Sequence, residues 1–393
     1  MIYINKNYYN YHNINGDIMI KKYKLNKSIL FFVFIFFIIS VISIYSAQMY
    51  LSPTLGNLSL KQGIWYLIGF LTIFLIIKLN NSFFYKYAWY IYLANCILLL
   101  GLLFVAPDIN GSKCWYVIKG IGSIQPSEFM KISLILMLAR VLDNFYKNYK
   151  IPTLKNEIFL LFQVLLVTGI PSLLTFLEPD TGAVIIYFII TLAMLFISGI
   201  RPFWFILFGI ILSVFIGSFL YLYFLKQDLF INIFGSSFFY RMDRIINWKI
   251  GSGMQLENSL AAIGSSYLLG HGFNKTPLYF PEAGTDFIFS VYSSNFGFIG
   301  ALFLIITFLL FILKIISIGK ETINRIDKYV ITGVVGIFLY QQIQNIAMTI
   351  GLLPITGITL PFISYGGSSL IAYMILIGII LNIYNNQEKK IKY

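Results

Sequence analysis

Long apolar runs separated by short polar segments dominate this chain. They lie near residues 28–47, 63–80, 83–106, 126–143, 157–177, 180–199, 203–224, 287–317, 329–350 and 364–384. Several reach the roughly 20 residues that an α-helix needs to cross the hydrocarbon core of a bilayer. The pattern therefore predicts an all-α integral membrane protein with about ten transmembrane helices.

Composition excludes a soluble fold, and the distribution of charge predicts the orientation. With 59% hydrophobic and 11% charged residues, the chain has too little polar surface to cover a soluble globule. The net charge of +13 comes from short basic clusters between the apolar runs, such as the lysines of 21–27, rather than from one continuous stripe. Such clusters determine topology. We therefore predict a protein of the cytoplasmic membrane with both termini cytoplasmic, surrounded by lipid, and no nucleic-acid partner.

Three polar segments fall on the opposite, extracytoplasmic side, at about 107–125, 225–286 and 351–363. The second precedes the eighth predicted helix and is too polar and glycine-rich to span a membrane, yet longer than a simple connector. We therefore divide the chain into an N-terminal tail (1–27), a ten-helix membrane domain (28–384) and a C-terminal tail (385–393). Residues 225–286 form a large extracytoplasmic loop within the membrane domain.

The segment Gln125-Pro126-Ser127-Glu128-Phe129-Met130-Lys131 opens the fourth predicted helix. Pro126 suits the first helical turn, and Glu128 and Lys131, three residues apart, share one helix face. Charged residues in a span are costly in lipid and are therefore candidates for function. The pair either belongs to an active site, with Lys131 on a pyrophosphate oxygen and Glu128 holding it, or is a structural ion pair. The spacing leaves both interpretations open.

Asp286 stands where a polar loop becomes the eighth predicted helix, in Pro281-Glu282-Ala283-Gly284-Thr285-Asp286-Phe287. Burial there would raise the pKa of the carboxyl group, which suits a general base that takes a proton from a sugar hydroxyl. The same position is also that of a helix N-cap. Both interpretations follow from the residues.

The run from Leu353 to Ser369 is dense in proline and glycine. Irregular backbone near membrane depth survives only where protein or a cavity satisfies its polar groups, so the run predicts either a pocket lining or a tight turn. Two weaker candidates remain. Arg241 and Arg244 in the long loop suit phosphate, and Glu178-Pro179-Asp180 suits a cation or a helix cap.

Taken together, these motifs resemble the SEDS (shape, elongation, division and sporulation) family of RodA, FtsW and SpoVE. The resemblance rests on Gln125-Pro126-Ser127-Glu128, Glu178-Pro179-Asp180-Thr181-Gly182, Thr285-Asp286-Phe287 and the 353–369 run, which match in order and spacing. It implies a ten-span glycosyltransferase that polymerises lipid II, and undecaprenyl-pyrophosphate-linked glycan, on the outer face of the membrane. It also implies a class B penicillin-binding protein as the partner that crosslinks the product.

The resemblance also assigns roles to residues. Asp286 corresponds to the proposed catalytic residue, and Glu128 and Lys131 are expected beside the same cavity. Charge develops on the leaving diphosphate, which requires a cationic side chain or a divalent cation, Mg or Mn, whose ligands the sequence does not identify. Further substrate-binding candidates are Lys113, Arg244, Gln125 and Ser364.

Three positions depart from the family pattern. Cys114 stands before Trp115 where the family usually carries arginine, which leaves Lys113 as a substitute for phosphate binding. Gly284 replaces a common histidine, and Ser294-Asn295 replace paired acids.

The alternatives to a polymerase are a flippase for a lipid-linked precursor and a non-catalytic scaffold for the penicillin-binding protein. The motifs do not distinguish roles in elongation, division and sporulation.

Overall fold

The computed structural model describes residues 25–50, 56–108, 111–118, 122–236, 238–239, 243, 253–279 and 281–391. Twelve α-helices fall in these ranges: α1 (Lys27–Ala47), α2 (Leu58–Leu79), α3 (Asn81–Val105), α4 (Pro126–Asn148), α5 (Leu154–Leu177), α6 (Thr181–Ser198), α7 (Pro202–Leu225), α8 (Gln227–Phe234), α9 (Gly253–Gly264), α10 (Ile288–Glu321), α11 (Arg325–Thr349) and α12 (Gly367–Ile391). A short antiparallel ribbon pairs β1 (Tyr116–Ile118) with β2 (Gly122–Ile124).

The predicted fold class is confirmed, because each of the ten apolar runs coincides with one long helix. Nine of the described helices are long and apolar enough to cross a membrane. The tenth is α4, which carries more charge and packs against α3, α5, α6 and α11 in the middle of the bundle. Several helices extend beyond the apolar runs; α10, for example, continues from residue 317 to Glu321. Polar residues prolong a helix past the hydrocarbon core because its backbone hydrogen bonds continue there.

Side-chain caps explain where several helices begin. Asn26, Asn57 and Asp180 accept hydrogen bonds from the backbone N–H three residues on, over 3.3, 3.0 and 3.0 Å. Each cap satisfies one of the N–H groups that a helix start leaves unpaired. Pro126 and Pro202 occupy first turns, where the missing N–H costs nothing.

An aromatic cluster at the centre of the bundle holds the 351–366 stretch in place. The Phe362 ring lies 5.4 Å from that of Phe36, 5.6 Å from Phe311, 5.3 Å from Phe338 and 5.3 Å from Tyr373, measured between centroids. These partners come from α1, α10, α11 and α12. An irregular segment is therefore packed among four helices, as irregular backbone at membrane depth requires.

Helix α7 stands apart from the other spans. Of its residues only Tyr223 is buried. Its first turn is attached to α5, since Trp204 Nε1 donates to Glu157 Oε2 over 2.7 Å and Arg201 Nε lies 3.4 Å from Glu157 Oε1. The chain then continues through α8 and α9 before it returns to the bundle at α10.

Candidate active site

A cavity of about 1320 Å³ opens at one end of the bundle. The first turns of α2, α4, α6 and α12 reach it, together with the ribbon, the residues before α10 and the stretch that leads into α12. The 353–369 run therefore lines a pocket, the first of its two interpretations. The charged and amide side chains of the lining are Lys61, Gln125, Glu128, Asp180, Glu282, Asp286 and Gln341.

Asp286 is half-buried and faces this cavity. Its carbonyl accepts from Asn345 Nδ2 over 2.8 Å, and the preceding carbonyl, that of Thr285, accepts from Ser364 Oγ over 2.6 Å, so the backbone is fixed on both sides. Burial, and secondarily the charge of Glu282, raises the pKa of the Asp286 carboxyl to about 7. Helix α10 begins without a side-chain cap, so the alternative role of Asp286 as an N-cap is not what the structure shows.

Glu128 and Lys131 form the ion pair that their spacing indicates, with 2.6 Å between Lys131 Nζ and Glu128 Oε2. Glu128 reaches the cavity lining, whereas Lys131 lies behind it, 1% exposed, with its Nζ 5.5 Å from the centre of the Tyr373 ring. The Tyr373 hydroxyl accepts from Gln341 Nε2 over 3.0 Å. The pair is thus continuous with a buried polar network that opens onto the cavity through Glu128.

Asp180 joins the starts of α4 and α6. Its Oδ1 caps α6, as one of its two interpretations proposed, while Oδ2 accepts from Gln125 Nε2 and Ser127 Oγ, each over 3.0 Å. Gln125 N also donates to Ser368 Oγ over 3.1 Å, which ties α12 to the same corner. Gln125 and Asp180 both line the cavity, so their hydrogen bonds fix one wall of it.

Glu178 lies directly before this corner and is fully buried. Both of its carboxylate oxygens are without a hydrogen-bond partner in the described part of the chain. Burial, followed by the charge of Asp180, raises the pKa of the Glu178 carboxyl to about 8. A carboxyl in this setting is neutral at pH 7 and relieves the desolvation cost by holding its proton.

Two sequence-predicted residues, Lys113 and Ser364, are not part of the cavity lining. Lys113 is exposed and is not part of the lining. Ser364 Oγ is engaged with backbone, donating to Thr285 O and accepting from Leu360 N over 2.8 Å, so Ser364 positions the segment that carries Asp286. Arg244, like Arg241, lies outside the described residues.

Lys61, Glu282 and Gln341 line the cavity but were missed among the site candidates. Lys61 is the one lysine or arginine among the described lining residues. The sequence could have indicated it, because Lys61 stands just before the second apolar run, four residues before Trp65, on the side of the membrane predicted for the candidate motifs. Gln341 lies inside an apolar run that offers no indication of which face meets the cavity.

The three departures from the family pattern have structural counterparts. Cys114 is buried, its Sγ donates to the Glu178 carbonyl over 3.0 Å, and burial, with smaller contributions from the Asp180 and Glu178 charges, raises its pKa to about 12. Gly284 accepts from Tyr365 N through its carbonyl over 2.9 Å. Ser294 and Asn295 are buried where α10 meets the loop that precedes it, and they are not cavity-lining residues.

The electrostatics of the cavity have two opposing parts. Among the described lining residues, four carboxyl groups, from Glu128, Asp180, Glu282 and Asp286, stand against the single ammonium group of Lys61. The N-terminal turns of α2, α4, α6 and α12 direct the positive ends of their dipoles toward the cavity. No group of three or more potential metal-ligating His, Cys, Asp or Glu side chains occurs among the residues that the structure describes.

Fold and site together define a multi-pass helical membrane protein with an acid-lined cavity at one end of its bundle. A model of the family described as cell cycle protein, comprising FtsW, RodA and SpoVE, matches residues 26–389. The chain belongs to this family.

Curated relatives support the assignment. The probable peptidoglycan glycosyltransferase FtsW of Haemophilus influenzae is 33% identical over 371 residues, which is 90% of this chain and 89% of the relative. The stage V sporulation protein E of Bacillus subtilis is 33% identical over 73% of this chain and 76% of its own length.

Solved structures share the fold. A chain of a peptidoglycan synthase complex that coordinates polymerization and crosslinking superposes with a TM-score of 0.75 at 22% identity, covering 92% of this chain and 98% of that one. The rod shape determining protein RodA of Thermus thermophilus gives a TM-score of 0.65 at 24% identity, covering 92% of this chain and 97% of that one.

Proposed function

We propose that this protein is a peptidoglycan glycosyltransferase that polymerises lipid II at the outer face of the cytoplasmic membrane. Membership of the family and relatives named as glycosyltransferases support this activity. The single observation that carries it is Asp286, a half-buried carboxyl with a pKa of about 7 that faces a cavity of about 1320 Å³. A general base is most effective when its pKa lies near the working pH.

In the proposed reaction Asp286 removes the proton from the 4-hydroxyl of one lipid II molecule. The freed electron pair on that oxygen forms a bond to the anomeric carbon of the growing chain, and the bond between that carbon and the diphosphate oxygen breaks. The electron pair leaves with undecaprenyl pyrophosphate. Asp286 then returns its proton to water. The fixed backbone on both sides of Asp286 holds the carboxylate at the reacting hydroxyl.

The diphosphate is proposed to lie against the N-terminal turns that open onto the cavity, since helix starts bind phosphate through their unpaired N–H groups. Gly366 and Gly367 line the cavity at the start of α12, where the Trp65 ring fills the space beside Gly367. Lys61 supplies positive charge directly, whereas Lys131 acts from behind Glu128. We assign Glu128, Lys131 and Gln125 to substrate binding on this basis. Lys113, which lies outside the lining, and Arg244, which lies outside the described residues, stay candidates from the sequence alone.

A divalent cation, Mg or Mn, fits this cavity as a group shared with the substrate. The lining carboxylates leave excess negative charge that opposes a diphosphate, and Asp180 and Glu282 retain acceptor lone pairs that can hold a cation. Magnesium commonly binds one or two carboxylates together with substrate phosphates, so it does not require a complete protein ligand set. Such an ion would neutralise the charge that develops on the leaving group.

The proposed partner is a class B penicillin-binding protein that crosslinks the glycan. The fold shared with a chain of a peptidoglycan synthase complex supports this pairing. We propose that both termini lie in the cytoplasm and the cavity outside, because the basic residues cluster in the segments on the side of the termini.

The experiment uses the full chain, purified with its candidate partner and supplied with lipid II and a divalent cation. We expect wild type and the control Asp228→Asn, an exposed carboxylate on α8 away from the cavity, to form polymer, and Asp286→Asn to form none. The size-exclusion profile and thermal unfolding of Asp286→Asn test whether this variant is folded. Polymer formation by folded Asp286→Asn would overturn the catalytic assignment, and absence of polymer with wild type would favour a flippase or a scaffold.

A further inference from the structure

A second groove, of about 630 Å³, lies between α1 and α10 at the end of the bundle opposite the active-site cavity. Two lysines contribute to it from different helices, Lys27 in the first turn of α1 and Lys314 two turns before the end of α10. Ser28 and Ser317 complete its polar rim. The reaction proposed above uses none of these residues.

No ion pair among the described residues neutralises the two ammonium groups of this groove. The ion pairs among the described residues join Glu128 to Lys131, Asp143 to Lys147 and Glu157 to Arg201. The carboxylate nearest in sequence to Lys314 is that of Glu321, which lies one helical turn beyond Ser317 and outside the groove lining. Its Oε1 accepts a hydrogen bond from Ser317 Oγ over 3.3 Å. The start of α1 adds the positive end of its dipole. The groove therefore presents concentrated positive charge without a counter-ion from the described chain.

Beside this charge the wall of the groove is apolar. Phe31, Phe32, Leu310 and Leu313 line it, and Phe31, Leu310 and Leu313 are strongly exposed. The Phe32 ring packs against that of Phe311 with 6.1 Å between centroids, which closes the floor between the helices. A cationic rim above an apolar wall matches a molecule with an anionic head and hydrocarbon chains. A free phosphate would leave the apolar wall uncovered.

We propose that this groove binds an anionic phospholipid of the cytoplasmic leaflet, with its phosphate between Lys27 and Lys314 and an acyl chain along the phenylalanines and leucines. Basic pockets between transmembrane helices on the cytoplasmic side recognise anionic headgroups in this way. The placement rests on the cytoplasmic orientation of the N-terminus proposed above. The lipid bridges the first helix to α10, the helix that follows Asp286, and so acts as a structural ligand of the bundle.

The test titrates the full chain in detergent with dioleoyl phosphatidylglycerol and counts bound lipid by native mass spectrometry. Dioleoyl phosphatidylcholine and inorganic phosphate are parallel arms. We expect phosphatidylglycerol to bind more tightly than either. Each of Lys27→Gln and Lys314→Gln should weaken it about 5-fold, and the double variant about 30-fold, because each lysine near a membrane surface contributes about 1 kcal/mol to anionic lipid binding.

Lys320→Gln is the matched control, since Lys320 is an exposed lysine of the same helix outside the groove. It should leave phosphatidylglycerol binding unchanged. An equal loss with Lys320→Gln would mean general surface charge and overturn the proposal. Inorganic phosphate binding as tightly as phosphatidylglycerol, with the same dependence on both lysines, would replace the lipid with a phosphate site. Lipid II polymerisation, measured separately, distinguishes failure of this site from failure of the proposed function.

Discussion

At the scale of single residues, the ionisation of Asp286 sets the expected pH dependence. The base must be deprotonated, and its pKa is raised to about 7 by burial and by Glu282, so polymerisation should increase as pH rises through about 7. Glu282→Gln removes the charge that opposes the ionisation of Asp286, so the rise of the rate with pH should occur at lower pH. Initial rates measured from pH 5 to 9 provide the check, with Glu257→Gln as the control, because Glu257 is exposed and does not line the cavity. If the rate of Glu282→Gln rose over the same pH range as that of wild type, Glu282 would not influence the ionisation of Asp286.

The buried pair of Glu128 and Lys131 supports a second prediction at this scale. Removing one partner leaves an uncompensated charge, so Glu128→Gln or Lys131→Met should each lower the free energy of unfolding by about 3–5 kcal/mol. The double replacement should cost less than either single one, because no buried charge remains. Thermal unfolding of the four proteins in detergent gives the coupling energy. Additive losses would show that the two side chains do not depend on each other.

At the scale of elements, residues 267–272 of the loop before α10 are joined to that helix by backbone contacts at a break in it. Gly297 has φ 64° and ψ −164°, which interrupts the helical conformation. Phe298 N donates to Tyr267 O over 2.9 Å and Ile299 N to Leu268 O over 3.1 Å, while His271 N reaches Ser294 O over 2.9 Å. This junction fixes the loop against the helix that Asp286 precedes.

Gly297→Ala should therefore disrupt both stability and activity. Its Cβ would overlap the backbone of Leu268 and Gly270, and alanine is strained at this positive φ. We expect a loss of at least about 2 kcal/mol in unfolding free energy and a marked loss of polymerisation. Gly209→Ala in α7 is the control, because nothing lies within 4 Å of its Cβ position and its effect should stay within about 1 kcal/mol. Equal thermal stability of both variants would show that the backbone at Gly297 can accommodate a Cβ atom without loss of stability.

The elements of this fold were predictable from sequence to different degrees. Apolar length located all ten long helices, and three-residue spacing brought Glu128 to Lys131, since both depend only on local geometry. A helix that is apolar on all sides does not show in its sequence which face points into the bundle. For this reason nothing in the sequence indicated that Gln341 lines the cavity. The positions of Lys113 and Ser364 depend on how the loops pack, which is a tertiary property. Asp286, which lines the cavity, could be singled out from the sequence because it marks the boundary between loop and helix.

At the scale of the whole molecule, the distribution of buried side chains separates a packed bundle from a helix that stands outside it. Phe338 is fully buried among aromatic rings, whereas Phe215 on α7 is 65% exposed. Lipid tails are as apolar as the side chains that face them, so moving a side chain from lipid into the bundle gains no hydrophobic free energy. The stability of the bundle therefore depends on close packing between its helices. The cavity and the groove at opposite ends of this bundle are both lined by helices of its packed core, the cavity by α11 and α12 among others and the groove by α1 and α10.

The proposed orientation places the cavity and the groove on opposite sides of the membrane and can be tested directly. In a background of Cys96→Ala and Cys114→Ala, single cysteines replace Lys113 or Lys150, both exposed and near opposite ends of the bundle. A membrane-impermeant maleimide should label Lys113→Cys in intact cells and Lys150→Cys only after permeabilisation. The reverse pattern would place the active-site cavity in the cytoplasm, because Lys113 precedes the ribbon that lines it. Lipid II displayed on the outer face would then be out of its reach.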